Sequence, residues 1–203
     1  MSTVFGLSPT YSYSLFAAVL YCILPLISSI ILSLVAEVPF LGLFSFQFSL
    51  QSFLIIVLSI AAAMSLVSVF IVISLKLSPR LDIAGEMARI KWIEGIFQTP
   101  PKIAWLLPLF SASFEEIFFR GVLLQGLVGN GMSIALSVGV VTFAFILNQV
   151  FLTDTWTQGI VLGYSSFAIS VVGSIAYLAS GSLIPSMIMH ASFAGFYTNR
   201  TNF

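Results

Sequence analysis

From Ile103 to Leu127 the chain runs through about 25 mostly apolar residues, long enough to cross a bilayer as a helix, yet Glu115, Glu116 and Arg120 sit in its middle. These are three of only fourteen formal charges, seven basic and seven acidic, among 203 residues. A charged side chain near the bilayer centre costs about 2.5–3.5 kcal/mol on insertion scales, so three within two helical turns require partners and mark a functional site. In a helix, Glu116 and Arg120 share a face four residues apart and can pair, whereas Glu115 is turned by about 100° and is less well placed for the same cation. The alternative to a functional site is a charge cluster that only locks helices together.

Composition extends this constraint to the whole chain. With 59% hydrophobic residues, 7% charged residues, 20 Phe and a mean hydropathy of +1.12, a soluble domain is excluded. The expected fold class is all-α: a polytopic membrane helix bundle, a single membrane domain over 1–203, with about six transmembrane helices. The candidate spans are Tyr13 to Ala36, Ser49 to Leu75, Ile103 to Leu127, Met132 to Leu152, Thr157 to Ala179 and Ser182 to Thr198, the last being short. No basic residue precedes the first apolar run, which is also too long for a signal-peptide core, so a retained helix is expected there. The single cysteine, Cys22, falls inside that run, which rules out an internal disulfide.

Five of the seven basic residues, Lys76, Arg80, Arg89, Lys91 and Lys102, lie in the polar stretch between the second and third runs. The positive-inside tendency makes this loop cytoplasmic and, with six spans, puts both termini in the cytoplasm, in keeping with Arg200. Within the loop, Ile83, Met87, Ile90, Ile93 and Phe97 recur at helical spacing between charged residues, with Trp92 beside them. That pattern predicts an interfacial amphipathic helix on the membrane surface, or else a solvated connector that helps set topology. Thr99-Pro100-Pro101 ends it. Basic residues cluster nowhere else, which argues against nucleic acid as a partner.

Two further polar features interrupt apolar runs. His190 is the only histidine, and an intramembrane imidazole faces a protein interior where it bonds a carboxylate, carries a proton or simply joins helices. Asn148 and Gln149 form a neighbouring amide pair, which can serve a site or bond across to another helix.

Glu115-Glu116-Ile-Phe-Phe-Arg120-Gly121 resembles the Glu-Glu-x-x-x-Arg motif of the CPBP intramembrane proteases, a family that includes CAAX prenyl endopeptidases and bacteriocin-processing and immunity proteins. Gly181-Ser-Leu-Ile-Pro185-Ser followed by His190 is similar to the segment bearing that family's His-x-x-x-Asn motif, so the family-like core spans 103–198. Two positions depart from the pattern. The Phe-x-x-x-His motif falls on Thr142-Phe143-Ala-Phe145-Ile-Leu-Asn148-Gln149, where four residues on from Phe145 is Gln149 and four on from Phe143 is Leu147; the final asparagine is Ala194.

The resemblance implies hydrolysis of a membrane-presented peptide in a bacterial cell membrane, with Glu115 as base, His190 as oxyanion donor, and Glu116 and Arg120 structuring the site. Gln149 or Asn148 can donate a hydrogen bond but cannot accept a proton as imidazole does. A divalent metal is left open by the resemblance. A conventional zinc site with three protein ligands is not expected from His190 and two adjacent glutamates, and a three-histidine site is excluded. The expected partners are membrane lipid and a peptide or protein held in the membrane. The competing readings are a noncatalytic relative that binds such a partner, as in immunity or scaffolding, and a small proton-coupled transporter, for which no inverted repeat is evident.

Overall fold

The computed structural model describes residues 9–35, 37–90, 93 and 106–196, which contain helices and no strand. Each apolar run of the sequence becomes helix. The first is α1 (Pro9–Val35), which carries Pro25 in its interior; Ser29 Oγ donates to the Pro25 carbonyl at 2.6 Å. A 3₁₀ turn (Phe40–Phe44) leads to α2 (Leu50–Leu77), started by Ser49, whose hydroxyl accepts from the Ser52 amide at 3.1 Å. The short α3 (Ile83–Ala88) is capped by Asp82, which accepts from the Gly85 amide at 2.9 Å.

The charge-bearing run is continuous helix in three parts: α4 (Leu106–Glu116), a π-helical segment (Ile117–Leu124) and α5 (Gln125–Gly129). Then come α6 (Ile134–Val150), α7 (Trp156–Ser180) and α8 (Leu183–Phe196). Thr155 and Gln158 form a reciprocal capping box at the start of α7. Gly181 closes its far end in the left-handed region, at φ 67°, with its amide on the Tyr177 carbonyl, which leaves two residues for the reversal into α8.

Helix α7 is the hub, packed against α2, α3, α6 and α8, while α8 also lies against α4 and α2, and α1 covers α4 and the π segment. The core includes Phe119, Leu124, Phe145, Ile169, Val172, Leu183 and Met189. Two helices, α2 and α7, are long and apolar enough to cross a membrane; α6, Ile23–Val35 and Leu183–Phe193 are shorter apolar stretches. In α2, Leu50, Phe53, Leu58, Val69 and Val72 point outward, as a lipid-facing helix requires.

Part of the amphipathic stripe of the basic loop packs on α7. Among the described residues of the loop, Ile83–Ala88 and Ile93 are helical, and Met87, Ile90 and Ile93 are buried against Val161 and Leu162 of α7, so these three positions meet protein. Glu86 fastens the loop there: its carboxylate accepts from Thr155 Oγ1 and its carbonyl from Gln158 Nε2, both at 3.1 Å. Lys91, Trp92 and residues 94–105, with Phe97, Thr99-Pro100-Pro101 and Lys102, lie outside the described residues, as do Arg200 and the side chains of Cys22 and Ala194.

Candidate active site

Four elements converge on the charges of the third run. Glu115 and Glu116 are the last residues of α4, and the π segment begins immediately after them. A π turn places more residues in each revolution than an α turn, so successive side chains are separated by less than the usual 100° or so. Gly121, inside the π segment, lets the chain approach the 3₁₀ turn and α8: a Cβ there would stand 2.9 Å from Leu43 Cδ1 and 3.0 Å from Leu183 Cδ1.

Glu116 is wholly buried, and one of its oxygens, Oε1, lies 2.9 Å from Arg120 Nη1 and 2.9 Å from His190 Nδ1. The contact with Arg120 is an ion pair without hydrogen-bond alignment, since Nη1 has no hydrogen-bond partner among the described residues. The guanidinium, also wholly buried, is held from two other sides. Its Nη2 donates to the Ile169 carbonyl at 3.1 Å, and its Cζ sits 4.8 Å above the Phe145 ring. The same ring meets His190 edge-on at 5.7 Å. Ser186, one turn before His190, donates to the Leu183 carbonyl at 3.0 Å.

Glu115 is satisfied from another direction, as its angular offset from Glu116 predicts. Gln149 Nε2 reaches both of its oxygens, at 3.1 and 3.2 Å, and His190 Nε2 stands 3.7 Å from Oε2. The structure thus joins Glu115, Glu116, Arg120, Gln149 and His190 in one buried cluster contributed by α4, the π segment, α6 and α8. It also decides the register of the second motif, because Phe145 and Gln149, four residues apart, both face the cluster. Asn148 is placed elsewhere: it lines a cavity of ≈220 Å³ with Leu24, Pro25, Ser28, Phe118 and Phe119, on the side of α1.

Three contributions escape sequence reasoning: the Phe145 ring as the bed of the guanidinium, the Ile169 carbonyl, and Gly173. A Cβ at Gly173 would stand 3.3 Å from Arg120 Nη2 and 3.4 Å from its Nε. Gly173→Val should therefore displace the guanidinium and lower stability by about 1–3 kcal/mol, readable as a reduced unfolding midpoint in detergent micelles; an unchanged midpoint would show that the space is not needed. A glycine in an apolar helix carries no sequence signal of this kind unless the arginine opposite is known.

The donor set does not suit a bound divalent metal. Glu116 Oε1 is bracketed by a guanidinium and an imidazole nitrogen, Glu115 faces the donors of Gln149, and no three His, Cys, Asp or Glu side chains among the described residues surround a common point.

Residues 97–196 match the family model described as type II CAAX prenyl endopeptidase Rce1-like. Neither the curated proteins nor the solved structures give a match. The matched stretch contains every member of the cluster and both motifs that resemble the CPBP proteases. Over residues 97–196, just under half of its 203, this chain is thus similar to the Rce1-like family of type II CAAX prenyl endopeptidases.

Proposed function

We propose that this protein is an intramembrane endopeptidase that hydrolyses a membrane-presented peptide, with Glu115 and His190 flanking the attacking water. The observation that carries this reading is the pair itself: Glu115 Oε2 and His190 Nε2 lie 3.7 Å apart, each held from behind by a different partner. Two acceptors at that separation can each take one hydrogen of a single water at about 2.8 Å, leaving a lone pair of the water free for a carbonyl carbon. Glu116 and Arg120 hold the imidazole, and Gln149 holds Glu115. The surrounding architecture is six membrane-crossing segments, α1, α2, α4 to α5, α6, α7 and α8, with the basic loop and both termini in the cytoplasm of a bacterial cell.

One specific observation favours a second reading. In place of a histidine, the neighbour of Glu115 is Gln149, whose amide donates to it at 3.1 and 3.2 Å and cannot take up a proton. A noncatalytic relative that binds a peptide or membrane partner would keep the fold and the cluster and lose only the chemistry.

Cleavage by the purified protein in liposomes separates the two. The substrates are a panel of prenylated CAAX-type peptides and leader peptides, with a family member whose motifs are intact as comparator. Cleavage of at least one peptide is expected; intact peptides in a panel that the comparator cuts would favour the binding reading. Because the donors of the cluster are already engaged, cleavage should keep its rate within about twofold after dialysis against a chelator, and loss restored by a divalent cation would contradict the metal-free arrangement.

A further inference from the structure

We infer that His190, and not Glu115, is the group that takes the proton from the attacking water in this chain. The inference rests on the hydrolytic reading above and reverses the roles that the family resemblance implies. It stands on the bonding of the two ring nitrogens. Nδ1 is 2.9 Å from Glu116 Oε1, and that carboxylate, paired with Arg120 at 2.9 Å, offers only lone pairs. Nδ1 must therefore carry the hydrogen, and in the neutral ring this leaves Nε2 as an acceptor directed at Glu115.

Glu115 is differently occupied. The amide nitrogen of Gln149 approaches both its oxygens, which takes up part of their lone-pair capacity and leaves the rest to orient the water. Its remaining part is electrostatic: the imidazolium formed during the reaction would lie 3.7 Å from Glu115 and 2.9 Å from Glu116, between two fixed carboxylates. A carboxylate on Nδ1 that fixes the tautomer, with Nε2 as base, is the logic by which an acid orients a catalytic histidine in hydrolases of unrelated fold. Arg120 extends the arrangement one step, since it holds Glu116 as Glu116 holds His190.

The step balances without a further reactant. The water oxygen forms a bond to the amide carbonyl carbon, the carbonyl electron pair moves to oxygen, and one water proton passes to Nε2. When the tetrahedral species collapses, the C–N bond breaks and the proton on Nε2 goes to the leaving nitrogen. The products are an acid and an amine, and His190 returns to its neutral form. Among the described residues, the charged groups that face the ring are Glu115, Glu116 and Arg120; Gln149 and Phe145 on α6 and Ser186 on α8 are neutral. Helix α7 carries no Asp, Glu, Lys or Arg, and α2 carries only Lys76, in its last turn.

The test pairs kinetics with spectroscopy on the full-length protein in liposomes or nanodiscs. His190→Gln keeps a hydrogen-bond donor but no proton acceptor. A histidine acting as base loses about a thousandfold in cleavage rate on this change, whereas an oxyanion donor replaced by another donor stays within about tenfold. Histidine-selective ¹⁵N labelling reports one residue only, because the chain has a single histidine, and it needs no variant. The expected spectrum shows Nδ1 protonated and Nε2 bare, with the preference lost in Glu116→Gln. Cleavage by the wild type with a His190→Gln rate within tenfold, or a ring protonated on Nε2, overturns the assignment while leaving the protease reading intact. No cleavage by the wild type at all defeats the protease reading, and the assignment falls with it.

Discussion

Glu115→Gln should abolish peptide cleavage, with a fall of at least about a hundredfold, while the protein continues to fold. The two parts of this expectation have separate causes. The fold survives because the substitution leaves the shape of the side chain and removes a charge from a buried place; the new amide can still meet Gln149, which now faces it at about the separation of a hydrogen bond. Chemistry is lost because the amide presents one acceptor oxygen where the carboxylate has two, and because the negative charge 3.7 Å from His190 Nε2 is gone when the imidazolium forms. Rates for wild type and variant, normalised to folded protein by size-exclusion in detergent, check both parts. A variant that cleaves within threefold of wild type would show that Glu115 takes no part in the reaction.

Arg120 gives the largest expected effect on stability. Its side chain is wholly buried beside a wholly buried carboxylate, so Arg120→Leu leaves Glu116 with His190 as its only close partner among the described residues capable of bearing positive charge. Breaking a buried pair from one side costs about 3–5 kcal/mol, because the remaining charge stays desolvated. Arg120→Lys should recover little of this. An ammonium cannot both reach the Ile169 carbonyl and lie flat 4.8 Å over the Phe145 ring while still meeting Glu116. Unfolding free energies in mixed micelles would register both changes. An unfolding midpoint for Arg120→Leu equal to that of wild type would mean that the cluster contributes nothing to holding α4, α7 and α8 together.

Those two residues also show why part of this molecule can be read from its sequence. Charges inside apolar runs are so costly that they announce both their own importance and the need for neighbours, and Glu115, Glu116, Arg120 and His190 do meet. The apolar runs themselves became helices within a few residues of the expected limits: Ser49 to Leu75 is Leu50–Leu77, and Thr157 to Ala179 is Trp156–Ser180. The amide at position 149 could be matched to the site through its spacing from Phe145, whereas its neighbour Asn148 has the same chemistry and a different direction, which only the rotation of α6 decides.

Other features depend on contacts distant in sequence. The π segment has no local signature, since Ile117-Phe-Phe-Arg-Gly-Val-Leu-Leu would serve equally as α-helix; α1, α6 and α8 pack around it. The role of Gly173 follows from an arginine more than fifty positions away. The stripe of Met87, Ile90 and Ile93 has the periodicity of a membrane-surface helix, and periodicity alone cannot tell a lipid surface from the apolar side of α7.

Incubation of a cleaved peptide with the wild-type protein in ¹⁸O-labelled water, read by mass spectrometry, puts the hydrolytic account to its most direct test. It predicts one ¹⁸O in the new carboxyl group of the released fragment, and about a hundredfold less labelled fragment, or lower still, with Glu115→Gln. Peptides recovered whole and unlabelled from the wild type, in liposomes where a family member with intact motifs cuts and labels them, would contradict it.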